Sequence, residues 1–194
     1  IAEELGNAKL KATAESFGFN EDIPTVGFSL KQSSFPTLSS YELGNIAQSG
    51  IGQGSVQATP TQMALVAATV ANDGIMMRPY LVSKIVDSEG NVVDETKVQQ
   101  YRQVLSASDD SVIKNAMAYV VSQRVQSGTW SYFNGINNVG AKTGTAQTGS
   151  GEPNSWWMGY AGDLAVAVVV EGAGNVDGTS AKIAASVIKA YSGQ

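Results

Sequence analysis

One run of six apolar residues at positions 165–170, Ala-Val-Ala-Val-Val-Val, constrains the fold of this 194-residue chain more than any other segment. Neighbouring side chains of a β-strand point to opposite faces of the sheet, so a strand that is apolar at every position needs cover on both faces. We therefore expect a central strand between two layers. Residues 156–160 and 164–170, on either side of a short Ala-Gly-Asp turn, predict a β-hairpin.

The remaining periodic segments predict helices around this sheet. Thr59 precedes Pro60 and stands three residues before Gln62, which is the pattern of a capped helix start, and this helix should run to about Asn72. Two further helices are expected at residues 1–17, ended by Gly18, and at residues 180–191. A fourth helix is predicted with a cap at Ser108-Asp109-Asp110, an apolar face of Val112, Ala116, Tyr119 and Val120, and an end before Gly128.

The segments between these helices complete the expected fold. Residues 19–41 have little periodicity and predict a long ordered loop, and the glycine-rich residues 49–54 predict a flexible stretch. Residues 81–86 and 92–93 predict a second hairpin, and residues 139–147 predict a strand. Short turns join neighbouring strands, and helices precede and follow them. This order predicts an α+β fold in which an antiparallel sheet is flanked by helices.

Composition excludes several kinds of active site. The chain contains neither histidine nor cysteine, which rules out a Ser-His-Asp triad, a cysteine nucleophile, disulfides and thiolate metal ligands. No cluster of residues has metal-ligand spacing, so we expect neither a metal nor a cofactor. The net charge is −5 and there is no basic run, so nucleic acid is not an expected partner. Any acid–base chemistry must use lysine, carboxylate, hydroxyl or backbone groups.

The most unusual strand is residues 140–147, Gly-Ala-Lys-Thr-Gly-Thr-Ala-Gln, which is small and polar where the other strands are apolar. Gly135 and Gly140 have the spacing of a phosphate-binding P-loop, but Ala141 separates the second glycine from the lysine. The glycine-rich sequence that follows is also poor material for the helix that a P-loop requires. An ordinary surface strand with one lysine is another alternative.

A third interpretation is an edge strand that binds an acyl-amino substrate. Such a strand pairs with the substrate backbone through main-chain hydrogen bonds. It also needs a cation near the substrate carboxylate, short hydroxyls, and a small residue that lets the substrate approach. Lys142, Thr143, Gly144 and Thr145 supply these groups in one pleated run. In an extended strand Lys142 and Gly144 share one face, and the two threonines share the other.

Longer motifs around this strand resemble those of class B penicillin-binding proteins. Residues 49–74 contain Gly-Gln-Gly, Thr-Pro-Thr-Gln-Met-Ala and Ala-Asn-Asp-Gly, and residues 78–82 are similar to the family's proline-led hairpin. Residues 140–147 resemble its Gly-Lys-Thr-Gly-Thr-Ala-Gln strand, with alanine in place of one small residue. Residues 156–160 resemble its aromatic strand. The resemblance extends from residue 1 to about residue 192.

This resemblance implies a D,D-transpeptidase that cross-links peptidoglycan stem peptides through an acyl-enzyme and is acylated by β-lactams. Lys142 would support proton transfer and the substrate's charge. Thr143 and Thr145, with Gly144 between them, would bind the carboxylate of D-Ala or of a β-lactam. The backbone N–H of Thr145 would be half of an oxyanion hole. Gln147 and the loop at residues 148–154 would border the cleft.

The family's nucleophile motif, Ser-x-x-Lys, and its Ser-x-Asn motif precede the part of the family that matches here. We therefore expect residues 1–194 to be the C-terminal portion of a single transpeptidase domain, inactive without the N-terminal portion that carries the serine. Two Ser-x-x-Lys strings, at residues 111–114 and 186–189, fall in segments that match non-catalytic helices. Residues 132–134, Tyr-Phe-Asn, predict a polar turn.

The resemblance also implies partners and a location. The partners are a peptidoglycan stem peptide or a β-lactam, the N-terminal part of the same domain, and other cell-wall synthesis proteins. The location is the extracytoplasmic face of the bacterial cell membrane, with the anchor in a segment outside this chain. A β-lactamase of the same superfold and a non-enzymatic β-lactam sensor remain as alternatives. Trp156 and Trp157 alternate along a strand, which predicts one in the core and one at the cleft.

Overall fold

The computed structural model describes residues 1–149, 151–174 and 178–193, and its elements follow the predicted order of helices, strands and a closing helix. The helices are α1 (Ala2–Ser16), α2 (Leu43–Ser49), α3 (Pro60–Ala71), α4 (Ala107–Gln126) and α5 (Thr179–Tyr191), with a 3₁₀ turn at Ser131–Phe133. The strands are β1 (Ile75–Met77), β2 (Lys84–Val86), β3 (Val92–Glu95), β4 (Gln100–Gln103), β5 (Val139–Ala146), β6 (Asn154–Ala161) and β7 (Leu164–Val170).

The main sheet contains β5, β6 and β7, in that order and antiparallel throughout. Lys142 lies opposite Met158, and Gly144 lies opposite Trp156. The predicted hairpin of β6 and β7 is confirmed, with its turn at residues 162–163. Within the described part of the chain, this strand order places the polar segment of β5 at one edge of the sheet.

Each face of the sheet carries its own apolar core. On one face Trp157 packs with the aromatic ring of Phe133 and with α5, whose Ala181, Ala184, Ala185 and Ile188 are buried. On the other face Met158 and Tyr160 pack with Ala67 and Val70 of α3 and with Met117 of α4. The predicted α+β arrangement of an antiparallel sheet between helices is therefore confirmed.

Strand β7 is covered on both faces, as its apolar run predicts. Val166 belongs to the core under α5, and Ala165 and Ala167 pack against the core under α3. The prediction of a central position is wrong among the described residues, because β6 lies in the middle and β7 is at the edge. A strand that is apolar at every position indicates that both of its faces are covered by other layers. This pattern carries no information about the strand's neighbours within the sheet.

Helix starts were predicted with mixed success. The Thr59 cap is confirmed, since its side chain accepts a hydrogen bond from the Gln62 N–H. The cap of α4 is Ser106, two residues earlier than predicted. The predicted apolar face of α4 is wrong at Val112 and Tyr119, which are exposed, and right at Val120, which packs against the core under α5. The fully buried apolar residues of α4 are Met117 and Val121.

Helix α2 and strands β1 and β4 were not predicted from the sequence. Helix α2 has only seven residues, includes Gly44 and has no side-chain cap, so its sequence carries little helical signal. It includes Ser49, which was assigned to a flexible stretch. Strands β1 and β4 are short and pair across more than twenty residues, which no local pattern reveals. The second hairpin is confirmed, with β2 shorter and β3 longer than predicted. The loop at residues 19–41 is confirmed, and isolated bridges tie it to Gln57 and Tyr80.

Candidate active site at the edge of the sheet

A groove of about 450 Å³ runs along the outer side of β5. All five residues from Lys142 to Ala146 line it, together with Asn154, Trp156 and Met158 of β6. The opposite wall comes from the segment after α2 and from α3, and it includes Gln53, Val56 and Met63. Residues 142–145 are therefore extended along the rim of a groove. The P-loop alternative is excluded, because this stretch is a strand and β6 follows it.

The backbone of β5 presents alternate residues to the groove. Gln53 Nε2 donates a hydrogen bond to the Thr145 carbonyl, at 3.1 Å, from outside the sheet. In an extended strand the N–H and C=O of one residue point to the same side, and those of the next residue point to the other side. The backbone groups of Thr143 and Thr145 are therefore directed away from β6. They face the space in which an extended chain could dock beside β5.

The side chains of β5 divide between the two faces as predicted. Lys142 and Gly144 share a face with Met158 and Trp156, their partners on β6. Thr143 and Thr145 share the opposite face with Trp157 and Ser155. A ligand that lies along the rim would have the ammonium on one side and the two hydroxyls on the other. The Lys142 ammonium donates a hydrogen bond to the Thr143 carbonyl, at 2.7 Å.

The two tryptophans of β6 have different surroundings. Trp157 is fully buried in the core under α5. Trp156, one residue away, lines the groove. The prediction of one core and one cleft tryptophan is therefore confirmed. Because they alternate on one strand, the core anchors the same strand that shapes the groove.

Comparison with known proteins identifies the family. Residues 1–192 match the model of the penicillin-binding protein transpeptidase domain. The chain belongs to this family. This confirms the resemblance drawn from the motifs.

Similar relatives of this transpeptidase-family chain are bacterial cell-wall proteins. It is 33% identical to the peptidoglycan D,D-transpeptidase PbpA of Mycolicibacterium smegmatis, over 95% of this chain and 38% of that protein. It is 31% identical to penicillin-binding protein A of Mycobacterium tuberculosis, whose structure is an imipenem acyl-enzyme complex, and the TM-score is 0.83. That match covers 95% of this chain and 42% of the other.

A D,D-transpeptidase domain from Eggerthella lenta is also similar, at 29% identity and a TM-score of 0.83, with 97% of this chain and 48% of that one covered. The transpeptidase-family chain therefore spans less than half the length of these three relatives. Their fold agrees with the antiparallel sheet and helices described above.

The residues predicted for the transpeptidase site come together with one exception. Lys142, Thr143, Gly144 and Thr145 all line the groove. Ala146 is the last β5 residue that does so, and Gln147 is exposed one residue beyond it. Of the predicted border at residues 148–154, Asn154 lines the groove, whereas Ser150 lies outside the described residues.

The two Ser-x-x-Lys strings lie in helices, as expected of chance matches. In α4, Lys114 contacts Asp73 at 2.5 Å and Asp110 at 3.0 Å, which makes it an anchor between this helix and the turn after α3. In α5, the Ser186 hydroxyl donates to the carbonyl of Lys182 at 3.1 Å. The polar turn predicted at residues 132–134 is wrong at Phe133, which is 2% exposed and stacks on Trp157.

The wall that faces β5 was not predicted from the sequence. Gln53 reaches Thr145 across 92 positions of sequence, and the apolar side chains of Phe19, Val56 and Met63 line the same groove. The Gly-Gln-Gly motif was the only sequence signal for this wall, and it does not indicate which residue the side chain of Gln53 contacts. Within the part of the chain that the structure describes, no helix combines the length and apolarity needed to cross a bilayer.

Proposed function

We propose that this chain supplies the Lys-Thr-Gly wall of a serine D,D-transpeptidase that cross-links peptidoglycan stem peptides and is acylated by β-lactams. The observation that carries the proposal is the rim of β5, whose backbone groups at Thr143 and Thr145 are directed into the groove. The membership of residues 1–192 in the transpeptidase family supports it. The relatives are named as D,D-transpeptidases and penicillin-binding proteins, which favours this function over a β-lactamase or a sensor.

The chemistry follows from an extended ligand that pairs with the rim. The Thr145 N–H would stabilise the oxyanion that forms when the serine attacks the carbonyl of the penultimate D-Ala. Thr143 and Thr145 would hold the terminal carboxylate through their hydroxyls, and Gly144 leaves room for it. Lys142 would offset the negative charge and support proton transfer. Gln147 would border the entrance. D-Ala leaves, and the amine of a second stem then attacks the ester to form the cross-link.

The nucleophile would come from the N-terminal portion of the same transpeptidase domain. Two observations support this part of the proposal. The chain spans 38–48% of the relatives described above. Strand β7 is apolar and has no partner on its outer edge among the described residues. An edge strand of this kind is prone to pair with further chain. We propose that the N-terminal portion covers it.

We propose that the completed protein works at the extracytoplasmic face of the bacterial membrane. The proposed substrate, peptidoglycan, lies outside the membrane, and the relatives are named as peptidoglycan enzymes. Its anchor would lie in a segment outside residues 1–194. Its other partners would be proteins of the same cell-wall synthesis machinery.

Labelling with a fluorescent penicillin, read by intact mass, tests this function. We expect the 194-residue chain to remain unlabelled by itself. Co-expression with the N-terminal portion should produce one covalent label, carried by that portion. A Lys142→Met variant of the reunited domain should lose most of the labelling, whereas Lys84→Met, on the distant hairpin of β2 and β3, should not.

Three outcomes would contradict the proposal. Labelling of the isolated chain would show that it holds its own nucleophile. Rapid turnover of the penicillin by the reunited domain would favour a β-lactamase. Stable acylation without cross-linking of stem peptides would favour a sensor.

A further inference from the structure

The two backbone acceptors on the rim of β5 are already occupied by side chains of this chain. Gln53 Nε2 donates to the Thr145 carbonyl at 3.1 Å, and the Lys142 ammonium donates to the Thr143 carbonyl at 2.7 Å. An extended peptide that pairs with this edge needs the same carbonyls, because its N–H groups must find acceptors there. Both carbonyls of the docking edge are therefore capped by side chains of the same chain.

Gln53 is suited to imitate a peptide. Its side-chain amide presents an N–H donor of the same chemical kind as a backbone amide. It approaches the strand from the opposite wall of the groove, which is the space that a docked peptide would fill. A ligand with an N–H at this position and the Gln53 amide therefore compete for one carbonyl.

The attachment of Gln53 allows its side chain to leave without loss of the loop. Its backbone N–H is bonded to the Gln48 carbonyl at 2.9 Å, which ties the residue to the end of α2. Gly52 and Gly54 on either side have φ of +75° and +69°, a turn that favours glycine. The backbone is thus held by contacts that do not involve β5. The half-buried side chain can rotate on a timescale far shorter than an acylation event.

We propose that Gln53 is a displaceable cap on the Thr145 carbonyl, which ligands must remove before their amide pairs with β5. The cap protects the edge strand from pairing with other chains. It also discriminates against ligands that lack an N–H to replace it. This inference rests on the proposed transpeptidase function, because it concerns the same groove.

The acylation rate of the reunited domain by benzylpenicillin tests the cap. Gln53→Ala removes the donor, and Gln53→Asn keeps the amide but shortens it by one methylene group. Both should accelerate acylation about two- to fivefold, which corresponds to one exposed hydrogen bond that no longer has to be broken. Gln126→Ala, at the exposed end of α4, is the matched control and should leave the rate unchanged.

A ligand without the amide N–H sharpens the test. For a β-lactam that lacks an acylamino N–H, we expect a larger acceleration of acylation in the two Gln53 variants. In the wild type this ligand must break the bond from Gln53 to the Thr145 carbonyl and has no N–H to replace it. Acylation of both variants at or below the wild-type rate would overturn the proposal. It would mean that Gln53 holds β5 in its productive position and does not compete with the ligand. A wild-type domain that is never acylated would overturn the proposed function, and the cap with it.

Discussion

At the scale of single residues, Thr143 and Thr145 combine two kinds of contact surface. Their backbone groups point into the groove, and their hydroxyls lie on the face opposite Lys142. A ligand on the rim therefore meets neutral donors and a cation from different sides. Sequence spacing predicted the division of the side chains between the faces, because the period of a strand is two.

Replacement of Thr143 tests the role of its hydroxyl. Thr143→Val keeps the shape of the side chain and removes the donor to the ligand carboxylate, so penicillin acylation of the reunited domain should fall about tenfold. Thr143→Ser keeps the hydroxyl and should stay within about twofold of wild type. Equal rates for the two variants would show that the hydroxyl does not contact the ligand. Unfolding in urea would confirm that neither change acts through stability.

At the scale of elements, Gly144 of β5 and Gly159 of β6 lack a side chain for different structural reasons. A Cβ on Gly159 of β6 would lie 2.3 Å from the Gly140 carbonyl oxygen and 2.7 Å from the Trp157 ring. A Cβ on Gly144 of β5 would lie 3.4 Å from the Trp156 Cβ, which is ordinary contact. Gly159 therefore permits the approach of β5 to β6, whereas Gly144 leaves the groove open.

The two glycines should respond differently to alanine. Gly159→Ala should lower the free energy of unfolding by about 1–3 kcal/mol, because backbone and a buried ring must move. Gly144→Ala should change it by no more than about 0.5 kcal/mol and should instead slow acylation. Urea denaturation followed by tryptophan fluorescence measures the first effect. A larger loss of stability in Gly144→Ala than in Gly159→Ala would contradict this assignment.

At the scale of the whole molecule, Lys114 links α4 to the turn after α3 through its ion pair with Asp73. Partial burial by itself would lower the pKa of this ammonium, but its hydrogen bonds to Asp73 and Asp110 raise the pKa above the ordinary 10.5. Burial also raises the pKa of Tyr160 above its usual 10.0. Both groups hold their protons more tightly in the folded state than in the unfolded state. Their contribution to stability is complete below pH 10 and declines as the pH rises through the folded-state values.

The stability of the chain should therefore decrease above about pH 10. Tyr160→Phe removes one of the two titrating groups with little change of volume, so its unfolding free energy should fall less steeply with pH than that of wild type. Tyr119→Phe changes an exposed tyrosine and should reproduce the wild-type curve. Chemical denaturation between pH 8 and about pH 11 gives both slopes. Parallel curves for wild type and Tyr160→Phe would contradict the argument.

Much of the fold and of the site follows from local sequence. The apolar run at 165–170 required cover on both faces, Thr59 and Pro60 marked the start of α3, and the alternation at Trp156 and Trp157 separated core from groove. These features depend on the period of a strand or on contacts within one helical turn. They can therefore be read before any tertiary contact is known.

The tertiary structure decided which edges and walls these elements form. Among the described residues it placed β7 at the edge of the sheet, and it turned α4 so that Met117 and Val121 are buried. It also brought Gln53 to the Thr145 carbonyl across 92 positions. Such contacts depend on how separate elements pack, and a residue 92 positions away leaves no periodic signature in the segment that it meets. The chemical groups of the rim were thus encoded locally, whereas their access to a ligand is a property of the folded molecule.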